Sequence, residues 1–209
     1  MESAALFKLS YGLYLLSSAD ADGASGCIIN TLEQVTSAPA QLIAVSNKSN
    51  YTTSLIERAG VFSATALTEG TDMGLIAAFG FRSGRDVDKF TDFHVELDGN
   101  GVPYIKNTMA AQFSCKVVQK LDVGTHILFV GQLTDARVLS DLPVMTYAYY
   151  HQVKKGTTPK NAPSYQAPTA QKGFRCTVCG YIEDKLDALP EDYTCPICMQ
   201  PKGVFVPIA

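Results

Sequence analysis

Four cysteines near the C-terminus, Cys176 and Cys179 followed by Cys195 and Cys198, form two C-x-x-C pairs with fifteen residues between them. Each pair can turn backbone N–H groups toward sulfur, which favours thiolate, and two pairs close a tetrahedral site around one metal ion. As a bare spacing this suits Zn²⁺ and a single iron equally well. Zinc would act as a structural staple, whereas iron would carry one electron. Cys27 and Cys115 stand alone inside apolar stretches and read as small buried hydrophobes rather than ligands or nucleophiles.

Three polar clusters earlier in the chain could hold an anionic, aromatic ligand. They are Asn30-Thr31 with Gln34, Thr36 and Ser37; Asn47-Lys48-Ser49-Asn50 with Thr52; and Arg82-Ser83-Gly84-Arg85 with Asp86 and Lys89. Each mixes hydroxyls, amides or cations, which a phosphate and a polar ring both require. His94 and His151 read as structural or surface residues.

Positioning these groups falls to a run of short β segments: Tyr11–Ser17, Ser25–Asn30, Gln41–Ser46, Val61–Ala66, Gln112–Leu121 and Thr125–Val138. They are apolar or alternating and are separated by turns such as Asp22-Gly23 and Asp122-Val123-Gly124. Two helices fit among them, Tyr51–Arg58 after Asn50 and Asp72–Phe79 after Thr71. Tyr147, Tyr149 and Tyr150 read as an alternating aromatic strand that packs a core or a dimer face, with one of them able to cover a bound ring instead. The fold class is therefore mainly β, a closed barrel with few helices plus a small metal-binding unit. No G-x-G-x-x-G follows a strand and no P-loop is present, so a dinucleotide-binding α/β fold is not supported.

Length divides the chain in the same way, since 209 residues leave room for one ordinary domain before the cysteine-rich unit. Domain boundaries are expected at 1–151 and 174–209, with an extended, mobile linker over 152–173 that carries Pro159, Pro163 and Pro168. With 46% hydrophobic residues, 18% charged residues and a net charge of −3, the chain is neither disordered nor a nucleic-acid binder. No stretch approaches the roughly 20 apolar residues of a membrane span. The start of the chain lacks a basic segment leading into an apolar run. A cytoplasmic location is expected, where cysteines remain thiols or metal ligands. The charge of −3 resides in residues 176–209, the rest being balanced, and residues 142–182 contain no acid.

The residues around the cysteines, Phe174-Arg175-Cys176-Thr177-Val178-Cys179-Gly180-Tyr181 and Leu189-Pro190-Glu191-Asp192-Tyr193-Thr194-Cys195-Pro196-Ile197-Cys198, resemble rubredoxin. That resemblance implies one iron held by Cys176, Cys179, Cys195 and Cys198, beside a small core of Tyr181, Tyr193 and Phe205. Three features depart from the pattern: a shorter stretch between the pairs, Tyr193 where tryptophan is usual, and Met199 where glycine is expected. The last predicts a strained or altered turn.

Taken together, Lys8–Tyr14, Asn30–Pro39, Asn47–Thr52, Phe79–Phe90, Val123–His126 and Met145–His151 resemble the flavin reductase-like proteins with an FMN-binding split β-barrel, and especially the subgroup fused to rubredoxin. The resemblance implies a homodimer that binds FMN and is reduced by NADH or NADPH. By position, Asn30, Thr31, Gln34, Val35, Thr36 and Ser37 would line the isoalloxazine. Asn47, Lys48, Asn50 and Thr52 would hold the phosphoribityl tail, and Arg82, Ser83, Gly84, Arg85 and Lys89 would complete the phosphate site. His126 falls where the family places a residue near the reactive face of the flavin. It would position the nicotinamide or move a proton, with a purely structural histidine as the alternative.

The implied activity is that of an NAD(P)H:rubredoxin-type oxidoreductase passing electrons from nicotinamide to FMN to iron. A flavodiiron oxygen or nitric oxide reductase, or a similar redox protein, would accept them. Flavin accepts a hydride yet gives electrons singly, which joins a two-electron donor to a one-electron metal. The acidic metal unit would dock on the basic Arg82–Lys89 rim. Two other readings stay open: a flavin or ferric reductase that releases reduced flavin, and a non-enzymatic flavin-binding protein with a structural zinc ribbon.

Overall fold

The computed structural model describes residues 2–159, 162 and 172–208. After a 3-10 helix at Ser3–Lys8 come β1 (Tyr14–Asp20), β2 (Gly23–Ile29), β3 (Leu32–Ser37) and β4 (Ala40–Asn47). Then follow α1 (Tyr51–Ala59), β5 (Val61–Leu67), α2 (Met73–Phe81), β6 (Val95–Leu97), β7 (Pro103–Ile105), β8 (Met109–Asp122), β9 (His126–Val138) and α3 (Tyr147–Gln152). A second unit holds β10 (Gly173–Cys176), β11 (Ile182–Glu183) and β12 (Phe205–Ile208). Among the described residues no helix is long and apolar enough to cross a membrane.

Seven strands form one antiparallel sheet in the order β2-β1-β5-β8-β9-β4-β3. The two edge strands, β2 and β3, are joined only by Asn30 and Thr31. The sheet therefore has to curl until its edges approach, which makes a barrel with an open seam at that corner. Packing agrees: Cys27 and Ile29 of β2 share a buried cluster with Leu32 of β3, Leu42 and Ala44 of β4, and Phe62 and Phe129. Gly131 is required there, because a Cβ on it would lie 2.5 Å from the Phe62 ring and 2.8 Å from Cys115 Cβ.

The six strands expected from alternation are present, with ends shifted by a few residues. Three were not expected: the short pair β6 and β7, and β3, whose Glu33, Gln34 and Val35 are exposed at the edge. Asp72 rather than Thr71 caps α2, its carboxylate accepting from Gly74 N at 2.6 Å. The Tyr147–Tyr150 segment is a helix, not a strand. Thr146 caps it by accepting from Tyr149 N at 3.1 Å, and Tyr147, Tyr150 and His151 then share one face at helical spacing.

In the second unit, β10 lies between β11 and β12. Tyr181 and Phe205 pack against the cysteines, and Tyr193 packs edge-on to Phe205 at 5.3 Å. The tyrosine standing at the expected tryptophan position adds a polar tie, its hydroxyl donating to Glu183 Oε2 at 2.8 Å. Met199 has φ 57°, the left-handed turn expected at that position. An L side chain in this region costs about 1–2 kcal/mol, and a glycine forfeits part of that gain to chain entropy. Met199→Gly is expected to stabilise the unit by about 0.5–1 kcal/mol, read as a higher denaturant midpoint for loss of metal–thiolate absorption.

Candidate functional site

Burial explains why the four cysteines meet. Cys176, Cys179, Cys195 and Cys198 are 1%, 4%, 0% and 2% exposed, and their sulfurs all lie within 4.8 Å of one another. Cys176 Sγ is 3.5 Å from Cys198 Sγ, and Cys179 Sγ is 3.6 Å from Cys195 Sγ. Four sulfurs about 2.3 Å from a central ion would stand about 3.8 Å apart, so a metal would need these two pairs to open by only a few tenths of an ångström and any wider pair, none beyond 4.8 Å, to close. The donor set also calls for a cation. The Cys195 thiol is pulled down to about 5, first by its hydrogen bond with Cys179 and then by backbone N–H groups of Cys198 and Ile197, while burial pushes Cys198 up to about 12. All four cannot ionise together in this apolar pocket unless a metal compensates the charge.

On the barrel a cleft opens between the β2 end, α2 and α3. Its floor is apolar, with Leu13, Ile28, Ile29, Ile76 and Phe79, and Asn30, Asn47 and His126 supply polar groups. Asn47 and His126 are cross-strand partners of β4 and β9. His126 is 8% exposed, and the Thr125 hydroxyl lies 2.8 Å from Nδ1. Burial lowers its pKa, so the ring is neutral at pH 7 and suited to orient or exchange a proton rather than to carry charge.

A second recess shares Cys27, Asn50, Phe81, Arg82 and Lys89 with the first and adds Thr52, Ser83 and Gly84. The start of α1 faces it. The Asn50 side chain makes no capping bond there, and although Thr53 N–H is taken by Asn50 O at 3.1 Å, the Tyr51 and Thr52 N–H groups are left to face an anion. Lys89 is 7% exposed, and its ammonium donates to Gly26 O at 2.9 Å and Phe79 O at 3.2 Å. Two of its three N–H groups are thereby used within a lining position. Gly84 has no room for a side chain, since a Cβ would overlap Ser25 Oγ. The pair of recesses offers an apolar slot for a ring system and a cationic, N–H-rich end for a phosphate, which fits a flavin nucleotide.

Not every residue expected at the site lines it. Asn30, Asn47, Asn50, Thr52, Arg82, Ser83, Gly84, Lys89 and His126 do. Thr31, Gln34, Val35, Thr36 and Ser37 lie outside both recesses, because β3 is an edge strand with most of its side chains turned outward. Lys48 instead pairs with Asp122 at 2.6 Å on the exposed side of the β8–β9 turn. Arg85 donates to Ser49 O at 3.1 Å and stacks 5.3 Å from the Tyr51 ring, tying the two loops together from outside.

Cys27 is buried as expected, yet it also lines both recesses. A further wall comes from residues 156–159, at the start of the segment expected as linker. His151 Nδ1 lies 2.8 Å from Gly156 O, Tyr150 Oη donates to Thr157 O at 2.9 Å, and the Thr158 hydroxyl lies 2.5 Å from Tyr147 Oη. Thr157, Thr158 and Pro159 line the cleft, and Thr157 Oγ1 is buried there without a partner. Most of the rest of the expected linker, 160, 161 and 163–171, lies outside the described residues.

The cleft and the metal centre adjoin. Met73 and Phe81 of α2 pack against the cysteine cluster, and Val178, between the first two ligands, lines the phosphate-end recess. No ion pair links the metal unit to the barrel among the described residues, so the contact is apolar rather than the expected acidic-to-basic one.

Residues 6–158 match the flavin reductase like domain. The chain belongs to the flavin reductase-like family. Residues 174–206 match the rubrerythrin, rubredoxin-like domain, so this member of the family carries a rubredoxin-like unit fused at its C-terminal side. It is 38% identical over 226 residues to the high molecular weight rubredoxin of Moorella thermoacetica, with 98% of this chain and 99% of that one covered. It is 41% identical over 165 residues to the ferric-chelate reductase (NAD(P)H) of Archaeoglobus fulgidus, with 79% and 98% covered. Among solved structures, flavoredoxin from Methanosarcina acetivorans superposes with a TM-score of 0.57 at 27% identity, over 62% of this chain and 69% of that one. The chain is thus a flavin reductase-like flavoprotein with a four-cysteine, rubredoxin-type metal site, and its fold is the mainly β class expected.

Proposed function

We propose that this protein passes electrons from NADH or NADPH, through FMN in the barrel cleft, to one iron held by Cys176, Cys179, Cys195 and Cys198. A redox protein then accepts them, a flavodiiron oxygen or nitric oxide reductase being the candidate. One observation carries the reading: the four-cysteine centre lies against a wall of the cofactor cleft through Phe81 and Val178. Bound flavin supplies the exchange between hydride chemistry and single electrons.

The protein's part is positional. Lys89, Arg82 and the start of α1 hold the phosphate; Asn30 and Asn47 address polar ring edges; neutral His126 orients the nicotinamide or relays a proton at the cleft wall. Residues 156–159 narrow the opening and limit water. The proposal includes a homodimer, supported by Leu121 and Val123 at the β8–β9 tip and Val35 on the β3 edge, which are 55%, 51% and 51% exposed apolar side chains. A cytoplasmic setting accords with six cysteines that form no disulfide.

Anaerobic titration of the purified protein tests this, with metal analysis. NADH or NADPH should bleach both flavin and iron–thiolate bands. The relative from Archaeoglobus fulgidus, named for ferric-chelate reduction, favours a second reading in which reduced flavin or bound flavin serves an outside ferric acceptor. That reading gains if flavin bleaches while the iron stays oxidised, and zinc in protein from the native host would sink the electron-carrier role.

A further inference from the structure

α2 touches both redox sites. Phe81, its last residue, lines both recesses of the cofactor cleft and packs against the cysteine cluster, and among the described residues it is the side chain that does both. Met73, its first residue, packs against the cluster and not the cleft. From the other side comes Val178, next to Cys179 and two residues from Cys176, which lines the recess near Asn50, Thr52 and Arg82 although 44% exposed. Phe81 and Val178 thus share a recess wall, and Met73 and Phe81 contact the cysteine cluster from the two ends of α2, where charge complementarity had been expected.

We propose that Met73 and Phe81 form a docking surface that seats the metal unit on the cofactor cleft of the same chain, with Phe81 as the positioning residue between the two centres. The inference rests on the electron-transfer reading and adds its contact. Each hydride from NAD(P)H brings two electrons. One reduces ferric to ferrous iron, and the second follows after a one-electron acceptor protein has reoxidised the ferrous centre; the protons go to solvent. Each transfer depends on how the two centres are held together, so a seat that lets the metal unit move away slows it. An apolar seat has a further consequence: docking should persist in high salt, unlike a charge-steered contact.

Two measurements test the surface. Met73→Glu places a carboxylate in the seat outside the cofactor cleft. In anaerobic stopped flow, flavin bleaching by NADH should keep its rate while iron bleaching slows about ten- to a hundredfold. Phe81→Ala should raise the ratio of the flavin rate to the iron rate by a comparable factor, with bound flavin and iron measured in the same sample. The second readout is independent of turnover. The chain has no tryptophan, so Val178→Trp is a single reporter whose emission bound FMN should quench, and adding Met73→Glu should restore it severalfold.

Equal iron rates in wild type and both variants, or tryptophan emission indifferent to Met73→Glu, overturns the docking surface while leaving the electron-transfer reading intact. Iron that stays oxidised in the wild type overturns that reading instead, and the fluorescence still decides whether the seat exists.

Discussion

Lys89→Met is expected to weaken FMN binding by roughly ten- to a hundredfold, the effect of losing a charged hydrogen bond of about 1.5–3 kcal/mol. Lys89 is one of the few cations inside the barrel wall, and its ammonium is fixed by the carbonyls of Gly26 and Phe79. Burial lowers its pKa, because solvent no longer stabilises the ammonium well. The sign of the pH dependence follows. Just below the ordinary lysine range the unfolded chain binds more protons than the fold. This group's contribution to stability therefore falls as pH drops through that window and is constant below the folded pKa. A phosphate favours the charged amine, so FMN binding takes up a proton there and weakens as pH rises.

Quenching of free FMN fluorescence measures both effects, with affinity determined between about pH 7 and 10 for wild type and variant. Equal affinity at neutral pH would remove Lys89 from the phosphate site. Loss of the amine also leaves two buried carbonyls unpaired, at about 1–3 kcal/mol each. The melting of the FMN-free variant, with Lys89→Arg beside it, separates a weakened fold from a weakened site.

How much of this was legible in the sequence depends on how local each feature is. The metal centre was readable because its ligands come from two short turns whose spacing alone brings sulfur to sulfur. The recess beside α1 was partly readable, since a capping position before α1 and a glycine-bearing basic loop after α2 both declare themselves by residue type. The Asn30–Ser37 segment divides between two places in the fold, because its polarity has two causes. Asn30 faces the cleft at the barrel corner, while Gln34, Val35 and Thr36 are outward residues of an edge strand. Alternation in Tyr147–Tyr150 resembled a strand, yet the same residues satisfy helical spacing, and the Thr146 cap decides between them. Residues 156–159 looked like linker by composition, and only their bonds to Tyr147, Tyr150 and His151 make them a wall. The apolar seat for the metal unit was invisible because Met73, Phe81 and Val178 are far apart in the chain, and net charge suggested a different contact.

Cys195→Ser is expected to unfold the C-terminal unit and leave the barrel standing. Its strands are four, two and four residues long, and its buried interior consists of the four cysteines, Ile197 and Leu189 with Tyr181, Val204 and Phe205 at the margin. A unit below about 40 residues rarely buries enough apolar surface to fold unaided, and structural metal sites of this type contribute roughly 10–16 kcal/mol. Serine offers a poor ligand, and the three remaining thiols would return to sharing protons in an apolar pocket. The barrel has its own two buried clusters, and of their residues only Met73, at the margin, also touches the cysteines. Hydrogen exchange should therefore show loss of protection in β10 and β12 and unchanged protection in β5, β8 and β9. Chelation of the wild type should reproduce the pattern, and the α2 end carrying Phe81 should lose protection in both cases because its partner surface has gone. Retained protection in β10 after either treatment would mean that the unit folds without its metal, and the four cysteines would then have to be explained by redox chemistry alone.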